Sequence, residues 1–310
     1  MSDLAQAVEQ YLTVRRALGF KLERHGRLLP SFVAFLQDAG ASFVSSDLAL
    51  EWARQPAAAS PCWWRERLSI ARGFARYLAT IDPRTQVPPV ALLASPGRAG
   101  RRAVPYLYSE DDIARLMQAA GQLSPLQAAT YETLIGLLAV TGMRVGEAIR
   151  LDRDDLDGDR SLLVVRDTKF GKSRLVPLHE TTLCALRSYL RRRDELCATT
   201  TGPSLFISTT GTRLLYKVVQ PTFARLCQRA GIRPRSQRCR PRLHDLRHSL
   251  AVSTLIGWYR SGADVPALLP RLSTILGHTD PASTYWYLQA VSELLALAAS
   301  RLAQTLEDPS

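Results

Sequence analysis

A stretch rich in proline and glycine, from about residue 82 to 104, does most to constrain the fold because it divides the chain in two. Proline and glycine interrupt helices and strands, so no single element is expected to cross it. The chain has 310 residues, enough for two domains. We predict an N-terminal domain over residues 1–94, a linker over 95–104 and a second domain over 105–310. The stretch contains Pro83, Pro88, Pro89, Pro96, Gly97 and Gly100, with Arg98, Arg101 and Arg102.

The segment before the linker predicts four helices. Apolar residues recur with helical period in each, and Gly19 and Gly40 mark the ends of the first two. Ser46 is typical of the N-cap of a third helix. Pro61 suits the first turn of a fourth, which runs to Leu78. The aromatic side chains of these helices are expected in their core.

The segment after the linker predicts a mainly helical domain with a small β-sheet. Ser109 and Asp112 are spaced as a capping box at the start of a helix. Strands rich in Val and Leu over 161–166 and 173–178 flank a hairpin turn at 169–172. Further helices are predicted over 125–141, 145–151, 179–195, 216–230, 244–261 and 289–304.

The charge balance favours a polyanionic partner. The formal net charge is +12 and the pI is about 9.9. Five scattered cysteines without a C-x-x-C pair predict free thiols rather than disulfides or a zinc site. The start MSDLAQAVEQ is polar, unlike a signal peptide, and no apolar run is long enough to cross a bilayer. We therefore expect a soluble intracellular protein.

Six residues suited to phosphate chemistry lie in order along the second segment. They are Arg144 in TGMRVGEAIRL, Lys169 in DTKFGKSRLVPL, His244 and Arg247 in LHDLRHS, His278 in LGHTD, and Tyr287 in STYWYLQ. This set suits a phosphodiester better than a small neutral substrate. The arginines can grip non-bridging oxygens in forked geometry. The phenol can attack phosphorus, and the lysine and a histidine can move protons.

These ordered motifs resemble those of the tyrosine recombinase (phage integrase) family, from about residue 106 to 302, with a looser likeness before. The nine-residue step from His278 to Tyr287 is the most telling feature. The resemblance implies a mainly α protein with a small β-sheet. Its parts would be an N-terminal four-helix core-binding (SAM-like) domain and a C-terminal α+β catalytic domain. It also implies a site-specific recombinase or integrase that cleaves and rejoins DNA without a metal or other cofactor.

The resemblance implies a role for each catalytic residue. Tyr287 would be the nucleophile that forms a 3′-phosphotyrosine, and Lys169 would protonate the leaving 5′-oxygen. Arg144 and Arg247 would stabilise the negative charge of the transition state. Glu147 lies one helical turn after Arg144 and is expected to orient it.

The histidines admit more than one reading. His244 would shuttle a proton or donate to the phosphate, and His278 would donate to a phosphate oxygen. His244 and His248 are four residues apart, as in a metal pair, but the glutamate of the H-E-x-x-H motif is missing. We expect no metal there and predict that His248 packs behind the site.

Two assignments have rivals within the same motif. Tyr285 lies two residues before Tyr287, and a helix turns by about 200° over that step, so only one of the two can face the phosphate. Lys172 lies on the same turn as Lys169. The family spacing favours Tyr287 and Lys169, which leaves Lys172 as a contact to the DNA backbone.

Basic side chains outside the six predict DNA contacts. A dense arginine run from Arg229 leads into Arg247, and the linker arginines can form a strap across the duplex. The predicted DNA-binding residues are Arg98, Arg101, Arg102, Lys172, Arg174, Arg238, Arg240 and Arg242.

The expected partner is double-stranded DNA carrying inverted-repeat recombination sites, on which the protein would assemble as a tetramer. We expect it in the cytoplasm, associated with the nucleoid. The alternatives are a type IB topoisomerase-like nicking-closing enzyme and a DNA-binding relative without catalysis. The tail WYLQAVSELLALAASRL also resembles recombinases carried by transposable elements. Its helix can dock within its own chain or on a neighbouring protomer.

Overall fold

The fold is known from a computed structural model that describes residues 4–93, 104–166 and 173–277, together with Thr284, Tyr285, Leu294 and Ala296. The chain separates into two compact units, which divide between Arg102 and Ala103. The described residues are mostly helical, with one small antiparallel sheet. The predicted fold class is therefore confirmed.

The first unit is built from four helices: α1 (Leu4–Ala17), α2 (Glu23–Asp38), α3 (Ser46–Arg54) and α4 (Pro61–Leu78). A short 3₁₀ turn, Val90–Leu93, follows them. All four predicted helices are present, and α4 has both of its predicted bounds. The predicted cap of α3 is wrong by one residue. Ser45, in extended conformation, accepts the Leu48 amide, and Ser46 is already helical.

Aromatic side chains fill the core of this first unit, as predicted. Phe32, Trp52 and Phe74 are fully buried there. The buried Arg67 guanidinium lies 3.8 Å from the centre of the Trp52 ring and donates to the Trp52 carbonyl at 2.7 Å. A cation held this way has an aromatic face and an acceptor in place of water. Arg67 therefore belongs to the core and not to a binding surface.

The second unit begins with helices around one apolar helix. They are α5 (Glu110–Ala120), α6 (Pro125–Thr141) and the short α7 (Val145–Ala148). The capping box of Ser109 and Asp112 is confirmed. Residues on all sides of α6 are buried, since it packs against α5 and other helices of the unit. It ends at Gly142, whose φ of 60° turns the chain toward Arg144.

A three-stranded antiparallel sheet follows, in the order β1 (Leu156–Asp157), β2 (Leu162–Val165) and β3 (Arg174–Pro177). The register pairs Val165 with Arg174. The two predicted strands are confirmed, whereas β1 was not predicted. The predicted turn at 169–172 lies outside the described residues.

The remaining helices are α8 (Glu180–Leu196), α9 (Tyr216–Arg229), α10 (Asp245–Arg260) and α11 (Val265–Leu276). The first three match predicted helices, but α11 was not predicted. The predicted helix over 289–304 lies outside the described residues except for Leu294 and Ala296. Leu294 is buried in one cluster with apolar residues of α10 and α11. Among the described residues, no helix has the length and apolar character needed to cross a membrane.

Candidate active site

Arg144 lies at the N-cap of α7, directly after the turn that ends α6. Its side chain is about one-third exposed, with 38% of its surface accessible. Nη1 donates to Glu147 Oε1 at 2.9 Å, and Nη2 donates to the Gly277 carbonyl at 3.2 Å. The protein thus fixes the guanidinium on two sides while part of it remains open to solvent. A fixed and accessible fork is suited to an anionic oxygen.

Glu147 supplies the buried carboxylate that holds Arg144 in place. It accepts the Arg144 amide at 2.9 Å, in addition to the guanidinium, and both of its oxygens accept from Arg174. Burial raises the pKa of Glu147, but the hydrogen bonds from Arg174 and from the Arg144 amide outweigh burial and lower that pKa to about 2. Glu147 is therefore a carboxylate at every pH at which the protein is expected to work. The prediction that it orients Arg144 agrees with these contacts.

Arg247 approaches the same turn from α10. Its side chain is almost fully buried, with 2% of the residue exposed, and Nη1 donates to the Gly142 carbonyl at 2.7 Å. Gly142 is only two residues before Arg144. The left-handed glycine turn therefore brings together two arginines that are 103 positions apart in the sequence.

His244 lies at the start of α10, one turn before Arg247. Desolvation lowers the pKa of His244, and the positive charges of Arg247 and Arg144 lower it further, against the opposing effect of Asp245. The imidazole is therefore neutral near pH 7 and can accept a proton. His244 lies one turn before Arg247 on α10, and Arg247 contacts the Gly142 carbonyl two residues before Arg144, so the three side chains form one cluster.

The second histidine of this motif packs against the first. The His244 and His248 rings meet edge to face, with centroids 4.8 Å apart. Within the described ranges, no group of three or more His, Cys, Asp or Glu side chains is arranged to hold a metal ion. Edge-to-face packing agrees with the predicted role of His248 behind the site.

The predicted DNA-binding arginines differ in what they contact. Arg242 donates through Nε and Nη2 to the buried Asp245, yet its side chain is 45% exposed. Arg238 and Arg240 are exposed. Arg174 instead directs its guanidinium to Glu147 and the Ile275 carbonyl, and its side chain is only 11% exposed. A DNA contact by Arg174 stays a prediction that its geometry does not favour.

Several predicted site residues lie outside the described part of the chain. These are Lys169, Lys172, His278 and Tyr287, together with Arg98, Arg101 and Arg102. The residues described near them include Gly277, which immediately precedes His278, and Tyr285, which is about half exposed. The described half of the site thus contains both arginines, His244 and Glu147.

Sequence reasoning missed two glycines that shape this site. Gly142 and Gly277 both have positive φ, and their carbonyls accept from Arg247 and Arg144. The available signal was a glycine directly after an apolar helix, which is typical of a left-handed C-cap. What the signal did not indicate is that each cap carbonyl would hold an arginine.

We expect Gly277→Ala to destabilise the protein and displace Arg174. The φ of 66° costs alanine about 1–2 kcal/mol, and the added Cβ would lie 2.8 Å from Arg174 Nη1. Urea unfolding should show a lower free energy of unfolding. The matched control is Gly257→Ala in α10, where an added Cβ meets no atom within 4 Å. The control should be neutral or slightly stabilising; equal losses in both variants would contradict the expectation.

Comparison with known proteins places this site in a family. The model of the phage integrase family matches residues 107–293. The protein y4rB of Sinorhizobium fredii, whose name assigns it provisionally to the integrases and recombinases, is 46% identical over 315 residues, covering 99% of each chain. The tyrosine recombinase XerD of Caulobacter vibrioides is 31% identical over 239 residues, covering 76% of this chain and 73% of XerD.

A solved structure shows the same fold. The Tn1549 transposon integrase, in complex with transposon right end DNA, superposes with a TM-score of 0.63 over 96% of this chain and 98% of that one. The identity is 16%, so this likeness concerns the fold alone.

Proposed function

Because the chain belongs to the phage integrase family of tyrosine recombinases, which are site-specific DNA recombination enzymes, we propose that it cleaves and rejoins DNA through a 3′-phosphotyrosine intermediate. The observation that carries this proposal is the Arg144–Arg247 cluster. Glu147 fixes the Arg144 guanidinium, and the Gly142 carbonyl, two residues before Arg144, fixes that of Arg247, with a neutral imidazole near both. Such a cluster is suited to one phosphate group.

The arginines would act on the charge of the reaction. Substitution at a phosphodiester places additional negative charge on the non-bridging oxygens of a five-coordinate phosphorus. Donors fixed before the reaction stabilise that charge without reorganising. Glu147 keeps the Arg144 fork directed, and the Gly142 carbonyl does the same for Arg247.

Tyr287 would supply the nucleophile. Its oxygen forms a bond to phosphorus while the bond from phosphorus to the 5′-oxygen breaks. The phenolic proton passes to a base, for which the neutral His244 is suited, and Lys169 gives a proton to the leaving 5′-oxygen. His278 would donate to a phosphate oxygen. The phosphotyrosine conserves the energy of the original linkage, so rejoining by the 5′-hydroxyl requires neither ATP nor a metal.

The substrate would be double-stranded DNA with two inverted-repeat sites, and four protomers would supply the four cuts. The net charge of +12 supports a nucleic-acid partner. The exposed Arg238 and Arg240 are available for phosphate contacts, and the linker arginines are assigned the same role. The resemblance of the tail WYLQAVSELLALAASRL to recombinases carried by transposable elements supports a transposable element as the source of the sites. Such a protein would work on the chromosome, in the cytoplasm.

A suicide substrate tests this function directly. A recombination site, taken from inverted repeats beside the gene, is nicked near the cleavage position so that the released fragment diffuses away. A recombinase should accumulate a covalent adduct on one site and exchange strands between two, and mass photometry should show a tetramer on the paired sites. Relaxation of supercoils by a monomer would favour the topoisomerase-like alternative. Binding without an adduct would favour a relative that lacks catalysis.

A further inference from the structure

Arg174 links three elements that meet at the candidate active site. It is the first residue of β3, which follows, in sequence, the predicted turn with Lys169. Nη1 and Nη2 donate to the two oxygens of Glu147 at 3.1 and 2.8 Å, and Nε donates to the Ile275 carbonyl in α11 at 3.3 Å. All three nitrogens of the guanidinium therefore contact the protein. β3, α7 and the end of α11 are held together by this one side chain.

The same contacts decide the charge around Arg144. Glu147 contributes one negative charge, and Arg144 and Arg174 contribute one positive charge each, so the group sums to +1. Without Arg174 it would sum to zero. A buried carboxylate that loses one partner also interacts more strongly with the partner that remains. Glu147 would then draw Arg144 toward itself and away from a phosphate.

We infer that Arg174 is a positioning residue for the Arg144 clamp, and not a contact to DNA. Arg174 donates to both oxygens of Glu147, so that Arg144 keeps both its orientation and its charge for the phosphate. The inference rests on the proposed function. A role in DNA binding is disfavoured because all three nitrogens of the Arg174 guanidinium already donate to acceptors within the protein.

The first experiment separates cleavage from binding in Arg174→Met. Single-turnover adduct formation on the suicide substrate, at saturating DNA, should fall by roughly tenfold to a hundredfold, as expected when a catalytic group is misplaced by about 1 Å. The dissociation constant for the site and its salt dependence should stay within about twofold of wild type. A phosphate contact would give the opposite pattern: weaker binding, a salt slope reduced by about one, and normal cleavage at saturation. That pattern would overturn the inference.

Arg153→Met is the control for loss of an arginine–carboxylate pair that lies at the surface. Arg153 also holds a carboxylate with two nitrogens, on Asp194 at 3.1 and 2.6 Å, and neither residue contacts Arg144. Its cleavage rate should remain near wild type. An equal loss in both variants would show a general structural effect and overturn the inference. If Arg174→Met does not fold, Arg174→Lys carries the same comparison, with a smaller loss because the charge is kept.

A double substitution tests whether Arg174 acts through Glu147. If it does, Glu147→Gln with Arg174→Met should cleave no more slowly than the slower single variant, because the two changes remove one interaction. Losses that multiply would show independent roles and contradict the inference.

A carboxyl titration keeps this test separate from the proposed function. The ¹³C signal of the Glu147 carboxyl, assigned with Glu147→Gln, should titrate at higher pH in Arg174→Met than in wild type, because a hydrogen-bonded cation has been removed. Failure of wild type to form an adduct would count against the proposed function alone. An unchanged Glu147 titration would overturn the role of Arg174 whatever the activity.

Discussion

Tyr287→Phe should bind its DNA site with unchanged affinity and form no covalent protein–DNA adduct. Phenylalanine keeps the ring and its packing but lacks the oxygen that would bond to phosphorus. The arginine cluster, which would grip the phosphate, is left intact. Fluorescence anisotropy should therefore show normal binding of the site, while a denaturing gel of the reaction with the suicide substrate should show no adduct.

Tyr285→Phe is the matched control, since it removes the same hydroxyl two residues earlier. Tyr285 is about half exposed, with 52% of its surface accessible. Two positions that lie two residues apart on a helix differ by about 200° in direction, so both phenols cannot face one phosphate. The Tyr285 variant should still form the adduct. Adduct formation by Tyr287→Phe, or its loss in Tyr285→Phe, would show that the nine-residue step from His278 indicates the wrong tyrosine.

Elements with strong local signals were predicted from the sequence with correct bounds. Both α4 and α6 begin with a proline in the first helical turn and carry long apolar patterns, and both match their predicted limits. The capping box at Ser109, whose two residues are three positions apart, was also predicted correctly. These features depend on residues within one or two helical turns, which a single sequence contains.

Elements that depend on tertiary contacts were missed. Two prolines within α11 resemble a loop in sequence. Pro266 lies in the first turn, where proline fits, and the Asp264 side chain caps the helix, whereas Pro270 is exposed within it. The strand β1 has two residues and exists through its pairing with β2. Its sequence alone has no strand period to detect.

The candidate site shows the same division. Motif order predicted Arg144, Glu147, His244 and Arg247, which the structure brings together. The contact of Arg174 with Glu147 was not predictable, because the two residues are 27 positions apart in the sequence. In the sequence, Arg174 follows two lysines and therefore resembles one more phosphate contact.

Arg144→Lys should lower single-turnover cleavage by about a hundredfold or more, as when one oxyanion-stabilising donor is lost. The wild-type guanidinium reaches Glu147 with Nη1 and the Gly277 carbonyl with Nη2 while keeping its planar fork. A single ammonium cannot satisfy both acceptors and also present a fork to a phosphate. Because the charge is retained, DNA affinity should change little. The measurement is the rate of adduct formation at saturating DNA.

Arg150→Lys provides the control for the same conservative change in the same segment. Arg150 is exposed and lies two residues after the end of α7, six residues beyond Arg144. Its replacement keeps the charge and should leave the cleavage rate near wild type. Near-normal cleavage by Arg144→Lys would mean that positive charge alone suffices at this position. The fixed fork between Glu147 and Gly277 would then serve the fold and not the phosphate.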